Sequence, residues 1–371
     1  MRAGLVLIGP LIPILKSYFD LSYSAISLLA GIPIFCFAAT SLIMSKVAKL
    51  GSSNRIIKLA MIALSIASIG RATTGLLGLY LFAIVMGVSI AIMNYELPAW
   101  VKEHAPDHSG YITGVYVTLM GIAAAIAVAI SVPLAEISNW SWRLSMLPWI
   151  LIAIATSFYW WLKMPSDEPM QKISVPTFWR SKAFKNPIAW ALVAFFGLES
   201  MTFYATATWF PTLLTTKGFN LSSAAIAVSI SGIIGSAIGI VFPHYFEKSS
   251  HQRAILIWTS LISGFAFFMI TVQTGWILFT WLTLSNIGIS IAFPLALMMA
   301  GLKSDSPEAT RNLSTMMQAF GYTLSAAGPF FMAKIFDLSG SWDFAMYGVV
   351  AICLLQAVAS AIVGRPNRIE F

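Results

Sequence analysis

Charge is what this sequence has least of. Asp, Glu, Lys and Arg make up 10% of the 371 residues, against 58% hydrophobic, and mean hydropathy is +0.82. That leaves too little polar surface to cover a water-soluble globule of this length, so the chain reads as an integral membrane protein. Cysteine is nearly missing. Cys36 and Cys353 each lie inside an apolar run and far apart, which excludes a disulfide framework and a metal-ligand spacing and leaves packing as their role. Histidine is scarce too; His104 and His108 are four apart, but Pro106 breaks the helix that such a ligand pair requires. Neither HExxH nor GxxxxGK[ST] occurs, so catalysis, metal or cofactor binding and ATP drive are not expected. The pI near 9.5 does not indicate nucleic acid, because the basic residues are spread through short loops rather than gathered in a stripe.

What the sequence does have is apolar runs of about 20 residues, each enough for one helical crossing. They fall near 3–19, 25–46, 55–75, 76–98, 110–133, 143–163, 188–214, 223–246, 253–272, 275–300, 312–334 and 342–364, which makes twelve spans of an all-α membrane protein. If the first span runs outward, basic residues collect on the inner side, in stretches such as 46–58, 163–185 and 365–368. Only Lys16, Arg71, Arg143, Lys217 and Lys334 fall on the other. The positive-inside bias then places both termini in the cytoplasm; a monomer in the inner membrane is the expectation that goes with it. The loop between residues 163 and 187 contains MPSDEP and no apolar run. It is expected to be a cytoplasmic linker (164–187) between a six-helix bundle at 1–163 and another at 188–364, with a cytoplasmic tail at 365–371.

The halves look like copies. Phe19-Asp20-Leu21-Ser22 returns as Phe219-Asn220-Leu221-Ser222, Gly87-Val88-Ser89-Ile90-Ala91 as Gly288-Ile289-Ser290-Ile291-Ala292, and Ser141-Trp142 as Ser341-Trp342, at offsets of 200 or 201. An even number of spans per copy gives both the same orientation, so these are parallel repeats about an axis along the membrane normal. Such pairs enclose a midplane site, which points to secondary active transport of a small polar solute by alternating access. A passive channel is the rival from another class, but too few embedded polar residues are available to line a continuous pore.

Twelve spans in two parallel halves with a central basic loop resemble the major facilitator superfamily. Within it, FFGLESMTFYATATWFPTLL, the run Ile291 to Met299, MMQAFGYTLSAAGP and the opening MRAGLVLIGPLIP are similar to the cyanate and 2-nitroimidazole porter branch. The resemblance implies a small anion or planar nitrogen heterocycle as solute. It also implies that spans one, four, seven and ten line the cavity, and that a first helix starting this close to Arg2 is truncated at its N-terminus. Proton-driven export of drugs or toxic metabolites is the alternative within the same fold. The superfamily's loop signature keeps only Lys49 and Gly51 in the first half, whereas the second half keeps Glu247-Lys248.

Against this background the candidate residues are few. Glu199 is a carboxyl group inside an apolar run, near the middle of span seven. Charge at that depth costs roughly 3 kcal/mol or more, so it either faces a polar cavity as proton carrier and solute contact or is hydrogen-bonded between helices. The similar branch would place an uncharged residue there. Arg2 would offer a bidentate fork to an anion. Asn94 on span four, Tyr204 and Trp209 on span seven, Asn286 on span ten, and Gln318 with Tyr322 on span eleven are expected to complete a solute pocket, with Trp209 equally suited to an outer aromatic belt. Glu96 and Lys102, with Glu247 and Lys248, are the candidate gate. Arg71, at the end of span three, reads as a side chain snorkelling to the outer surface.

Overall fold

The computed structural model describes residues 2–47, 51–105, 108–137, 141–164, 182–249, 251–305 and 307–365. Among them no strand occurs. The first span is interrupted: α1 (Ala3–Val6) and α2 (Ile8–Phe19) meet at Leu7. Pro10 has no N–H to give to the carbonyl of Val6, which loosens the helix there. Then follow α3 (Tyr23–Val47), α4 (Ser53–Thr73), α5 (Leu76–His104), α6 (Ser109–Ile137) and α7 (Trp142–Lys163). The second series is α8 (Pro187–Thr216), α9 (Leu221–Lys248), α10 (Gln252–Val272), α11 (Ile277–Leu302), α12 (Pro307–Ser339) and α13 (Trp342–Val363). Ten of these helices are long and apolar enough to cross a membrane. The broken first helix and α12, whose 33 residues carry polar groups through their first half, complete the twelve.

The way the helices pair shows the internal symmetry. α3 packs along α12 and α6 along α9, so each pair joins one series to the other. Advancing the labels by six turns α3 into α9 and α6 into α12, which exchanges the two pairs as a two-fold rotation would. The pairs α4 with α5 and α3 with α5 return likewise as α10 with α11 and α9 with α11. Close approach between the series depends on glycine. A Cβ on Gly9 of α2 would stand 2.5 Å from the carbonyl oxygen of Ala207 on α8, and one on Gly31 of α3 would stand 2.9 Å from that of Ala326 on α12.

The copied turns are capped differently. In the second series Asn220 is the N-cap of α9 and accepts from the Ser223 amide at 2.7 Å. In the first, Asp20 takes a left-handed conformation (φ 51°) at the end of α2, and Ser22 accepts from the Ala25 amide at 3.1 Å instead. The cap has moved two residues along the same motif. Where α2 gives way to α3, the series are fastened to each other. Tyr23 meets Trp209, Phe336 and Trp342 edge-on, with ring centroids 4.9–5.6 Å apart, and the Ser24 amide donates to Asp337 of α12 at 3.2 Å.

Candidate solute cavity

A cavity of about 460 Å³ lies between α1, α6, α8, α9 and α11. Spans one, seven and ten line it as the resemblance implies, but span four (α5) does not, and spans five and eight take its place. The reason is packing: α5 is held behind the cavity between α3 and α4. On its walls α6 and α9 offer small residues, Gly121, Ala124, Gly232, Ser236 and Gly239 among them. α8 and α11 carry the large ones, Phe203, Tyr204, Phe210 and Phe293.

Of the sequence candidates, Arg2, Glu199, Tyr204 and Asn286 meet on this cavity. Glu199 lies near the middle of α8 and is 1% exposed; one carboxylate oxygen accepts from the hydroxyl of its neighbour Ser200 at 3.0 Å. Arg2 is the positive charge that acts electrostatically on Glu199, Tyr204 and Tyr322. Its guanidinium lies over the Phe293 ring, 5.6 Å from the centroid, and its Nε is buried without a hydrogen-bond partner. The one ion pair among the described residues joins Lys217 to Asp343 at 2.9 Å, well away from here. Arg2 and Glu199 thus share a cavity without touching. The Asn286 amide nitrogen is tied to the Ser231 hydroxyl and the Leu282 carbonyl, each at 3.0 Å, which fixes that side chain on the wall.

The other candidates lie elsewhere. Trp209 is fully buried, and its indole N–H donates to the Pro329 carbonyl at 2.7 Å, so it braces α8 against α12 and reaches neither the cavity nor lipid. Tyr322 is buried between Phe37 and Phe196, 5.4 and 5.0 Å away. Asn94 and Gln318 are half-buried, and neither lines the cavity. Glu96 is buried on α5. The side chains of Lys102, Glu247 and Lys248, the rest of the candidate gate, lie outside the described residues, as does most of the 164–187 linker.

The structure corrects the reading of Arg71. It does not snorkel outward: it is 2% exposed and bends inward, donating to the Gly4 carbonyl at 2.7 Å and touching the Met86 sulfur at 3.0 Å. Sequence reasoning also missed the small polar wall of Ser229, Ser236 and Ser290. The signal was available, since Ser229, Gly232, Ser236 and Gly239 recur at spacings of three and four along one face of α9.

The Major Facilitator Superfamily signature matches residues 1–329. The chain belongs to the Major Facilitator Superfamily. Across all of this superfamily chain runs 28% identity, over 375 residues, to YycB of Bacillus subtilis, an uncharacterized transporter of which 92% is covered. The 2-nitroimidazole transporter of Escherichia coli is 26% identical over 362 residues, covering 98% of this chain and 92% of that one. The cyanate transport protein CynX of Escherichia coli is 23% identical over 96% of the chain and 92% of its own length. Among solved structures, a bacterial homologue of the lysosomal transporter Spinster superposes with a TM-score of 0.76 at 16% identity, covering 97% of this chain and 93% of that one. The D-xylose-proton symporter gives 0.75 at 12%, covering 99% and 94%. At such identities these two speak for the fold alone. A multi-pass membrane transporter is the plain reading.

Proposed function

We propose that this superfamily member is a secondary active transporter in which two six-helix halves rock about the cavity, carrying a small polar or anionic solute coupled to protons. A small organic anion or planar nitrogen heterocycle is the solute class, in keeping with the names of the 2-nitroimidazole and cyanate transporters. Arg2 attracts the solute, Tyr204 and Asn286 orient it, and Glu199 takes up and releases the proton. The observation that carries the reading is that Arg2 and Glu199 face one cavity between the two helix series and are not paired with each other. Embedded ionisable side chains that face a cavity mark proton and substrate pathways. The protein works as a monomer in the inner membrane with both termini in the cytoplasm.

The test is uptake of 2-nitroimidazole and a panel of small organic anions into proteoliposomes under an imposed pH gradient. Uptake should follow the gradient and lose that dependence in Glu199→Gln. Uptake indifferent to the gradient, or a Glu199→Gln protein that still follows it, removes the coupling.

A further inference from the structure

The same cavity carries a narrower statement, which rests on the transport reading above. Its dimensions and walls discriminate among solutes. At about 460 Å³ it lies within the roughly 300–1,000 Å³ of sites that enclose organic molecules, and a triatomic anion held by Arg2 would leave most of it empty. Four aromatic side chains, Phe203, Tyr204 and Phe210 on α8 and Phe293 on α11, stand on its walls beside the aliphatic Ile289 and Leu297 of α11. Rings favour rings, stacked or edge-on.

The charge count is equally selective. Arg2 lies on the cavity with its guanidinium over Phe293 and its buried Nε without a hydrogen-bond partner. The guanidinium fork, with that Nε–H left over, matches the two oxygens of a carboxylate. Glu199 is the one acid on the wall; the remaining polar lining comes from Ser200, Tyr204, Thr206, Ser229, Ser236, Asn286 and Ser290, and Tyr322 and Tyr116 are the titratable groups beyond it that feel Arg2. With the cavity empty, Arg2 and an ionised Glu199 balance. A solute carboxylate entering beside an ionised Glu199 would bring two negative charges to one positive charge in a low-dielectric space.

We propose that the solute is a flat aromatic monocarboxylate, gripped by Arg2 between the phenyl walls, and that each molecule enters together with one proton, which goes to the Glu199 carboxylate. Loaded and empty cavities then carry the same net charge, so transport is electroneutral with one proton per anion. The bond formed is O–H on Glu199, the proton comes from water on the loading side, and it returns to water on release.

Binding tests this without any flux assay. The purified full chain is titrated with benzoate in buffers of different ionisation enthalpy, across about pH 5.5 to 9, where a free carboxylic acid such as benzoate stays ionised. Benzoate should bind with uptake of one proton in the upper part of that range. Glu199→Gln should bind it without proton uptake and with no pH dependence. Arg2→Gln should weaken it about tenfold or more, the loss of charge-assisted bonds. Arg2→Lys, which keeps the charge without the fork, should fall between and serves if Arg2→Gln does not fold. Phe293→Leu should narrow the preference for benzoate over cyclohexanecarboxylate. Thiocyanate or 2-nitroimidazole binding where benzoate does not, or benzoate binding with no proton uptake at any pH in the range, overturns the inference. A protein that ignores benzoate but still loses its pH gradient dependence in Glu199→Gln keeps the transport reading and sinks only this one.

Discussion

At the scale of single residues, the structure separates side chains that serve a solute from those that hold the bundle, and the two make different predictions. Trp209 is of the second kind. Its truncation to alanine removes a buried ring and a hydrogen bond, which should cost about 3–5 kcal/mol of stability. Whatever protein survives should show unchanged solute preference. Thermal unfolding in detergent, together with a solute panel, checks this; a changed preference at normal stability would return Trp209 to the cavity. Arg71 is of the same kind, through a different contact. Its bond to the Gly4 carbonyl holds α1, and with it Arg2, in place. Arg71→Gln should therefore weaken solute binding as well as stability, although Arg71 is not on the cavity wall. Glu199 was legible in the sequence because an acid in an apolar run must be accounted for by function or pairing. Arg71 was misread because span counting locates a Cα but not the direction of a long side chain, and here the interior acceptor outcompetes the interface. Trp209 was misplaced for a similar reason: periodicity puts it on a face of α8 but does not say whether that face meets the cavity or α12.

At the scale of helices, close backbone contact controls what the sequence tolerates. Gly9→Ala would push a methyl group to 2.5 Å from the Ala207 carbonyl oxygen and 3.0 Å from that of Thr208. Backbone on both sides gives it no flexible neighbour to displace, so a loss of about 1–3 kcal/mol is expected, the usual penalty of overpacking, read as a lower melting temperature. The capping residues can be tested in the same way. Asn220→Ala should cost α9 about 1 kcal/mol, and the matching change Asp20→Ala should not remove an N-cap, because Ser22 performs that task in the first series. An equal loss at both would show the copies to be capped alike. Span positions were legible to within a few residues, because a 20-residue apolar run admits few alternatives. The exchange of α5 for α6 and α9 on the cavity wall was not legible. It follows from which helices pack across the pseudo-symmetry axis, and hydropathy is silent on that. It removed Asn94 from the cavity, and Gln318 lies off its wall as well.

At the scale of the whole molecule, alternating access requires the fastening between the two series to be breakable at one end at a time. The fastening at the α2–α3 end is well defined. The Ser24 amide and hydroxyl both donate to one carboxylate oxygen of Asp337, the aromatic rings of Tyr23, Trp209, Phe336 and Trp342 close around that point, and Lys16 lies 4.9 Å over the Tyr23 ring. Asp337 is at the exposed rim, where its loss creates no buried orphan, so Asp337→Ala should weaken the latch rather than the fold. Two hydrogen bonds to a charged acceptor contribute about 1.5–3 kcal/mol each in favourable settings and less when exposed. A net 1.4 kcal/mol would raise the population open at that end about tenfold. The measurement is labelling of Thr206→Cys, on the cavity wall, by an impermeant maleimide in a background with Cys36 and Cys353 replaced. Asp337→Ala should speed labelling from the α2–α3 side and slow it from the other, because a two-state molecule that opens one end more often must open the other less. Faster labelling from both sides would mean a loosened bundle, and no change would mean that Asp337 adds nothing to the packing that closes this end.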